Sequence, residues 1–399
     1  MFLGDPMATL ASKVIAIVAV LIVVAGVIGY FVGLTTATPP PGVTTPVTVT
    51  VPTTVRITVP TTVTVAPTPA PAEVYRLKLA AHLVTGEPRY RMFTLTFVEL
   101  VKNLSKGRLI IEPYPAGELG PVGEIPAMVA KGVADLGEVF PGYYTAVDPL
   151  FELLGAIPGP ISHASELMYL FKAFEPELRS ICEKKLGVVY IGLFIGQVPE
   201  HILFLRSPIK SLYELKGKII RSIGLSAAFY EKFGAKTVAL PGGELYSALQ
   251  LGTIDGAEWG GYLPTYGLKL HEVAPYIVES PVPLHSQAQG IVLVANPETW
   301  RRLPDDLKSI IKAAAEYVFL SMYTRLYYEN FKYREKYIAE GAKFIPIPPE
   351  EVPLICKYGS EVIVERFRGY PDLLVRYISI LKDLGYGDWA ESLEALLKG

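Results

Sequence analysis

Arg221 is the residue whose type and position best suit ligand binding. It lies at the end of a predicted strand, KGKIIRS (216–222), before a glycine-containing turn and a predicted helix over about 226–233. An arginine presents a planar fork of donors that matches a carboxylate, and the start of a helix leaves backbone N–H groups without partners. We therefore predict that Arg221 binds a carboxylate. On local sequence alone, the alternative is a surface arginine at a strand end.

Other candidates for a ligand site are one acidic residue and several aromatic residues. Glu258 and Trp259 end a short predicted strand, TIDGAEW, where a carboxylate can face a cleft or be a solvated edge charge. Tyr143, Tyr144 and Tyr262 could wall such a cleft, because aromatic side chains desolvate a small acid and donate hydrogen bonds. The alternative is core packing, since the chain has 24 tyrosines, and we expect only one of Tyr143 and Tyr144 to reach the cleft.

Several other functional classes have no support in the sequence. It contains no GxSxG, Walker A, HExxH or CxxC motif, and none of its five histidines has metal-ligand spacing. The formal net charge of −2 does not favour nucleic-acid binding. Cys182 and Cys356 could form one disulfide, although two small buried apolar side chains are the preferred interpretation.

Predicted strands and helices alternate along residues 73–399, which indicates an α/β fold with parallel sheets covered on both faces. A chain of 399 residues is too long for one compact core, so two lobes are expected. The pattern over 304–341 predicts one very long helix, whose length suits a connection between two lobes. The tail 350–399 is predicted to be mostly helical.

The first 72 residues have a different composition. Residues 14–34 are apolar and uncharged, and at about 1.5 Å per residue they could cross a membrane. We predict a retained N-terminal membrane anchor over 1–34; a cleaved signal peptide is the alternative. Residues 35–72 are mainly Thr, Pro, Val and Ala, and their prolines favour an extended linker over a β-segment packed on the domain.

The remaining sequence resembles the solute-binding subunits of tripartite ATP-independent periplasmic (TRAP) transporters, the DctP family. Four phrases carry the resemblance: GRLIIEPYPAGELG (107–120), AMVAKGVADLGEVFPGYY (127–144), SLYELKGKIIRSIG (211–224) and GGELYSALQLGTIDGAEW (242–259). Their order and spacing match across nearly all of residues 75–345. The end of the last phrase is most similar to the branch that binds 2-oxo or 2-hydroxy monocarboxylates.

The resemblance implies a two-lobed fold like that of periplasmic binding proteins, with a ligand cleft and a long lobe-spanning helix. It implies that Arg221 clamps the ligand carboxylate, and that Glu258 and Trp259 contribute oxygens to a cation that also binds the ligand. Glu200 matches a glutamine that serves both ligand and metal in that branch, although Gln197 could take the ligand role because the loop length differs. The expected cation is Ca²⁺ or Na⁺, and Glu200 as a ligand would favour Ca²⁺.

We therefore expect a non-enzymatic, extracytoplasmic receptor that passes a small organic acid to TRAP-type permease subunits. Lobe 1 is expected over about 73–200 and 290–315, and lobe 2 over about 201–289 and 316–349. The oligomeric state is open, although the helical tail could support a homodimer. The alternatives are a receptor domain for signalling, a binding protein for another transporter class, and an enzyme acting on a 2-oxo acid. The sequence ends at Gly399 without a signalling domain, which favours transport.

Overall fold

The computed structural model describes residues 73–398 and places their strands in two sheets. The first sheet contains β1 (Tyr75–Ala80), β2 (Leu109–Tyr114), β3 (Leu136–Val139), β4 (Val189–Gln197) and β10 (Gln289–Ala295). The second sheet contains β5 (Ile202–Leu205), β6 (Ile219–Arg221), β7 (Lys236–Val238), β8 (Gly256–Ala257), β9 (Tyr276–Glu279) and β11 (Lys343–Pro346). We call the regions built on these sheets the first and second lobes.

Helices cover the sheets and form the tail of the chain. They are α1 (Thr96–Leu104), α2 (Ile125–Ala130), α3 (Pro149–Leu153), α4 (Ala164–Ala173), α5 (Glu175–Ile181), α6 (Gly224–Glu231), α7 (Leu245–Leu251), α8 (Tyr262–Tyr266), α9 (Pro297–Arg302), α10 (Asp305–Ala339), α11 (Val352–Phe367), α12 (Pro371–Asp383) and α13 (Gly387–Lys398). A π-helical turn, Tyr90–Leu95, leads directly into α1.

The two-lobed α/β architecture is confirmed, but the prediction of parallel sheets is wrong because both sheets are mixed. The first sheet has the order β2-β1-β3-β10-β4, and β10 runs antiparallel to both neighbours. The second has the order β11-β9-β5-β8-β6-β7, and β5 runs antiparallel to β8 and β9. Each of these antiparallel strands begins after the chain has crossed between lobes, so neither follows the strand–helix–strand connection that makes neighbours parallel.

The second sheet is buried on both faces, as β5 illustrates. Ile202 and Phe204 point into one apolar cluster, whereas Leu203 and Leu205 point into another on the opposite face. Successive strand side chains alternate between faces, so a strand covered on both sides is a continuous apolar run. The sequence ILFL meets this requirement.

The long helix α10 has 35 residues and confirms the predicted lobe-spanning helix. Its N-terminal part contributes Ile311, Phe319 and Tyr323 to the core of the first lobe, and Tyr337 near its C-terminal end packs in the second lobe. Two aspartates in its first turn and Lys336 in its last turn match the helix dipole. The helix thus packs in both lobes and connects them.

The helical tail also packs on both lobes, because α11 contributes Ile355 to the second-lobe core and Phe367 to the first-lobe core. Cys182 is buried, Cys356 is partly buried, and both thiols are free. The possible disulfide is therefore absent, and the preferred interpretation holds for the buried thiol only.

Within residues 73–398, every helix is either too short or too polar to cross a bilayer. The predicted anchor and the Thr/Pro-rich linker lie outside the described residues.

Candidate functional site

A cavity of about 830 Å³ lies between the lobes. Its wall contains residues from β4, β6, β10 and the loops that follow β1, β3 and β8. Predicted site residues in this wall are Arg221, Glu258, Trp259, Glu200, Gln197 and Tyr143.

Arg221 ends β6 and is only 3% exposed. Its Nε donates to the carbonyl oxygen of Leu240 (3.0 Å), and its Nη1 donates to the carbonyl oxygen of Glu258 (2.8 Å). The guanidinium carbon lies 4.7 Å from the ring centroid of Trp259. These contacts hold the group in one orientation and use Nε and Nη1, while Nη2 makes no hydrogen bond to a described residue. That edge of the guanidinium remains available to a ligand.

Glu258 follows β8, the parallel neighbour of β6. Its Oε1 accepts from Arg221 Nη1 at 3.2 Å, and the carboxyl group is 3% exposed. Burial raises the pKa of Glu258 to about 7, while the Arg221 charge opposes that shift and the neighbouring Glu200 adds to it. Burial therefore favours the protonated form of this carboxyl, and the Arg221 charge favours the ionised form.

Glu200 lies where the chain crosses from β4 to β5, and its backbone pairs with Ser286 on the return crossing. Its Oε1 accepts from the side-chain amides of Gln289 (3.2 Å) and Gln197. Burial raises its pKa, while hydrogen bonds and the Arg221 charge oppose the rise. Both predicted acidic ligand residues are thus buried in one site.

His285, which the sequence analysis did not select, links the two glutamates. Its Nε2 lies 2.7 Å from Glu200 Oε2 and 3.8 Å from Glu258 Oε2, and its Nδ1 lies 2.6 Å from Tyr230 Oη. Burial lowers the pKa of His285 to about 4, so the ring is neutral at neutral pH. A neutral ring with these neighbours donates from Nε2 to Glu200 and accepts at Nδ1 from Tyr230.

Glu200 and Glu258 could hold a metal ion, with His285 beside them as a hydrogen-bond donor to Glu200. Ligand atoms of Glu200, Glu258 and His285 all lie within 4.8 Å of one another. Two carboxylates suit a hard cation such as Ca²⁺ or Na⁺, which prefers oxygen ligands. The indole nitrogen of Trp259 is only a donor, so this residue could contribute an oxygen only through its backbone carbonyl.

A second arginine, also missed from the sequence, extends this polar network into the first lobe. Arg89 lines the cavity and donates from Nη1 to Gln197 Oε1 (2.5 Å) and from Nε to Glu87 Oε1 (2.9 Å). Gln197 in turn donates to Glu200. The network therefore continues from Arg221 across the cavity floor to Arg89.

The predicted tyrosines divide into two groups. Tyr143 lines the cavity and is 45% exposed. Tyr144 lies outside the cavity wall and donates to the carbonyl oxygen of Val122. Tyr262 is buried in the second-lobe core, where it donates to Glu279. We therefore leave Tyr144 and Tyr262 out of the candidate site.

Comparison with known proteins identifies the family. Residues 80–362 match the DctP family, bacterial extracellular solute-binding protein, family 7. The chain belongs to this family. It is a solute-binding protein of the TRAP type, and such proteins bind solutes and are not enzymes.

One relative matches about two thirds of the chain. A monocarboxylate 2-oxoacid-binding periplasmic protein of Nostoc sp. is 26% identical over 275 residues, which span 68% of this chain and 73% of the relative.

Solved TRAP solute-binding proteins have the same fold. A structure from Colwellia psychrerythraea, with bound calcium and pyruvate, has a TM-score of 0.69 at 22% identity and covers 81% of this chain and 96% of its own. A structure from Pseudoalteromonas atlantica, with bound sodium and pyruvate, has a TM-score of 0.68 at 23% identity and covers 82% of this chain and 97% of its own.

Proposed function

We propose that this protein captures a 2-oxo or 2-hydroxy monocarboxylate in the cavity between its lobes. The observation that carries the proposal is the buried guanidinium of Arg221, whose Nε and Nη1 donate to two backbone carbonyls and so leave Nη2 for a ligand. A buried, preoriented arginine suits a carboxylate because it needs little reordering when the ligand binds. The Nostoc relative, named as a 2-oxoacid-binding protein, supports the same ligand class.

A bound cation resolves the charge balance of this site. Burial raises the pKa values of Glu200 and Glu258, and a bound cation would favour their ionised forms. Both glutamates and the ligand carboxylate would then bring three negative charges against one from Arg221, while His285 is neutral and Arg89 is paired with Glu87. Ca²⁺ matches this deficit better than Na⁺ and would be held by the two glutamates, the Trp259 carbonyl oxygen and the ligand. When bound, the cation supplies electrostatic attraction for the ligand oxygens. Gln197 would orient Glu200, and His285 would hold the same carboxylate through its N–H group.

Capture would be coupled to closure of the lobes. Arg221 and Glu258 belong to the second lobe, whereas Gln197 and Tyr143 belong to the first. A ligand that contacts both groups stabilises the closed state over the open one. The closed form would then deliver the acid to TRAP-type permease subunits.

We propose that residues 1–34 anchor the protein to the cell membrane and that residues 35–72 space an extracytoplasmic head over 73–399 from the bilayer. Lobe 1 would comprise about 73–200, 290–315 and the next part of α10 with Phe319 and Tyr323, and lobe 2 about 201–289 and the rest of 316–349. The anchor is long enough to span a bilayer, and a homodimer of heads would be compatible with this arrangement.

Calorimetry on the full-length protein tests the ligand and the cation together. We expect pyruvate or lactate to bind in the presence of Ca²⁺, and pyruvamide, which lacks the carboxylate, not to bind. Chelation of divalent ions in sodium-free buffer should weaken binding at least about tenfold. Equal binding of the amide would contradict the carboxylate assignment, and affinity unchanged by cation removal would contradict the metal assignment.

A further inference from the structure

Three aromatic rings form a cluster on the first-lobe wall of the cavity. The ring centroid of His82 lies 5.9 Å from that of Phe140 and 5.3 Å from that of Tyr143, and the last two are 5.4 Å apart. All three residues line the cavity. The cluster has an apolar surface that faces the ligand space.

The backbone of the first sheet holds this cluster in place. His82 follows β1 and Phe140 follows β3, and these strands are parallel neighbours whose carboxyl ends meet at the cavity. The His82 backbone N–H donates to Glu138 Oε2 (2.8 Å), and Glu138 Oε1 accepts from the Thr94 hydroxyl (2.6 Å). The rings are therefore positioned before a ligand arrives.

The cluster carries no charge. Burial, together with the Arg89 charge, lowers the pKa of His82 to about 3, so its imidazole is neutral at neutral pH. A neutral ring beside Phe140 and Tyr143 can pack against another ring without a charge to desolvate.

A three-carbon acid held by Arg221 would leave most of this cavity unfilled. The cavity of about 830 Å³ is near the upper end of the roughly 300–1,000 Å³ that holds drug-sized ligands. Two large apolar residues of its wall, Val84 and Tyr143, are exposed there, at 54% and 45%. A ligand side chain would remove this apolar surface from water.

We propose that the ligand is a 2-oxo or 2-hydroxy acid with an aromatic side chain, which packs on His82, Phe140 and Tyr143 while the acid group binds at Arg221. This inference rests on the proposed function, because it takes the position of the acid group from there. It assigns the two ends of the ligand to different lobes, so the side chain as well as the acid would favour closure.

Calorimetry on the full-length protein with Ca²⁺ should compare phenylpyruvate, pyruvate and 4-methyl-2-oxopentanoate. These three compounds share the 2-oxo acid group and differ in the side chain. We expect phenylpyruvate to bind at least about tenfold more tightly than pyruvate and more tightly than the branched aliphatic acid. Tyr143→Ala should weaken phenylpyruvate about tenfold and pyruvate by a clearly smaller factor. Tyr143→Phe, which keeps the ring, should weaken phenylpyruvate by less than Tyr143→Ala does.

Tyr317→Ala provides the matched control, because Tyr317 lies on α10 outside the cavity wall and is 59% exposed. It should change neither affinity, and melting temperatures should show that each variant folds. If pyruvate or the aliphatic acid binds as tightly as phenylpyruvate, or if Tyr143→Ala weakens all three acids equally, the aromatic subsite is refuted and the proposed function stands. If none of the three acids binds, both proposals fail.

Discussion

Replacing Arg221 by glutamine tests the central contact of the site. The change removes the positive charge and the Nη1 donor to the Glu258 carbonyl oxygen, and it leaves a shorter polar side chain that ends near the position of Nε. Truncating one partner of a buried, hydrogen-bonded charge pair costs about 2–5 kcal/mol in binding. We expect the affinity for the acid to fall by about 3 kcal/mol, or roughly 150-fold.

The same substitution should lower stability by less than it lowers affinity. Breaking a buried ion pair can cost about 3–5 kcal/mol because the remaining charge is left without a partner. Here the remaining group is Glu258, whose pKa is already raised to about 7 by burial, so it can take up a proton instead. We therefore expect a loss of unfolding free energy of about 2 kcal/mol at pH 6, and a larger loss at pH 8.

Calorimetry and urea unfolding at both pH values measure these quantities. Arg334→Gln is the control, because Arg334 pairs with Glu279 (2.7 Å) away from the cavity and is partly exposed. That variant should bind the acid normally and lose about 1 kcal/mol of stability or less. A folded Arg221→Gln protein that binds with the wild-type affinity would refute the assignment of the carboxylate to this guanidinium.

Two further substitutions test the fold around the site. Burial raises the pKa of Glu138 to about 7, so the folded protein binds a proton there more tightly than the unfolded chain does. The stability that this proton contributes is present below the ordinary pKa of 4.5 and is lost as the pH rises through 7. The free energy of unfolding of Glu138→Gln should therefore rise relative to that of wild type, by up to about 3 kcal/mol, as the pH increases from 5 to 8. Urea unfolding measures this difference, and a difference that stays constant with pH would contradict the prediction. Gly196→Ala should cost about 1–3 kcal/mol in urea unfolding, because the added Cβ would lie 2.0 Å from Tyr323 Cδ2. Gly192→Ala, in the same strand with no atom within 4 Å of its added Cβ, should cost less than about 1 kcal/mol, and equal costs would show that this packing is not the cause.

Features encoded within one stretch of sequence were predictable. The long helix α10 was predicted within two residues at each end, because its pattern, acidic first turn and the glycine after it all lie in one segment. The position of Arg221 at a strand end followed in the same way. The hydrogen bonds from Nε and Nη1 of Arg221 to backbone carbonyls could not be predicted in this way, because those carbonyls belong to Leu240 and Glu258, 19 and 37 residues away.

Residues brought together only by the crossings between lobes were missed. His285 is 85 residues from Glu200, and no local spacing relates the two. Arg89 precedes a helix and has the sequence context of an ordinary surface arginine, yet it reaches Gln197 from 108 residues away. The antiparallel direction of β5 and β10 was missed for the same reason, since strand direction after a crossing depends on where the chain re-enters the sheet.

The position of Glu200 and His285 on the paired crossing segments has a mechanical consequence. These residues lie on two of the segments where the chain passes from one lobe to the other, and the two segments pair through Glu200 and Ser286. If the lobes rotate about these segments, a small movement there becomes a larger movement at the lobe rims. Occupancy of the acidic site would therefore be transmitted to the outer surface of the protein without a separate relay.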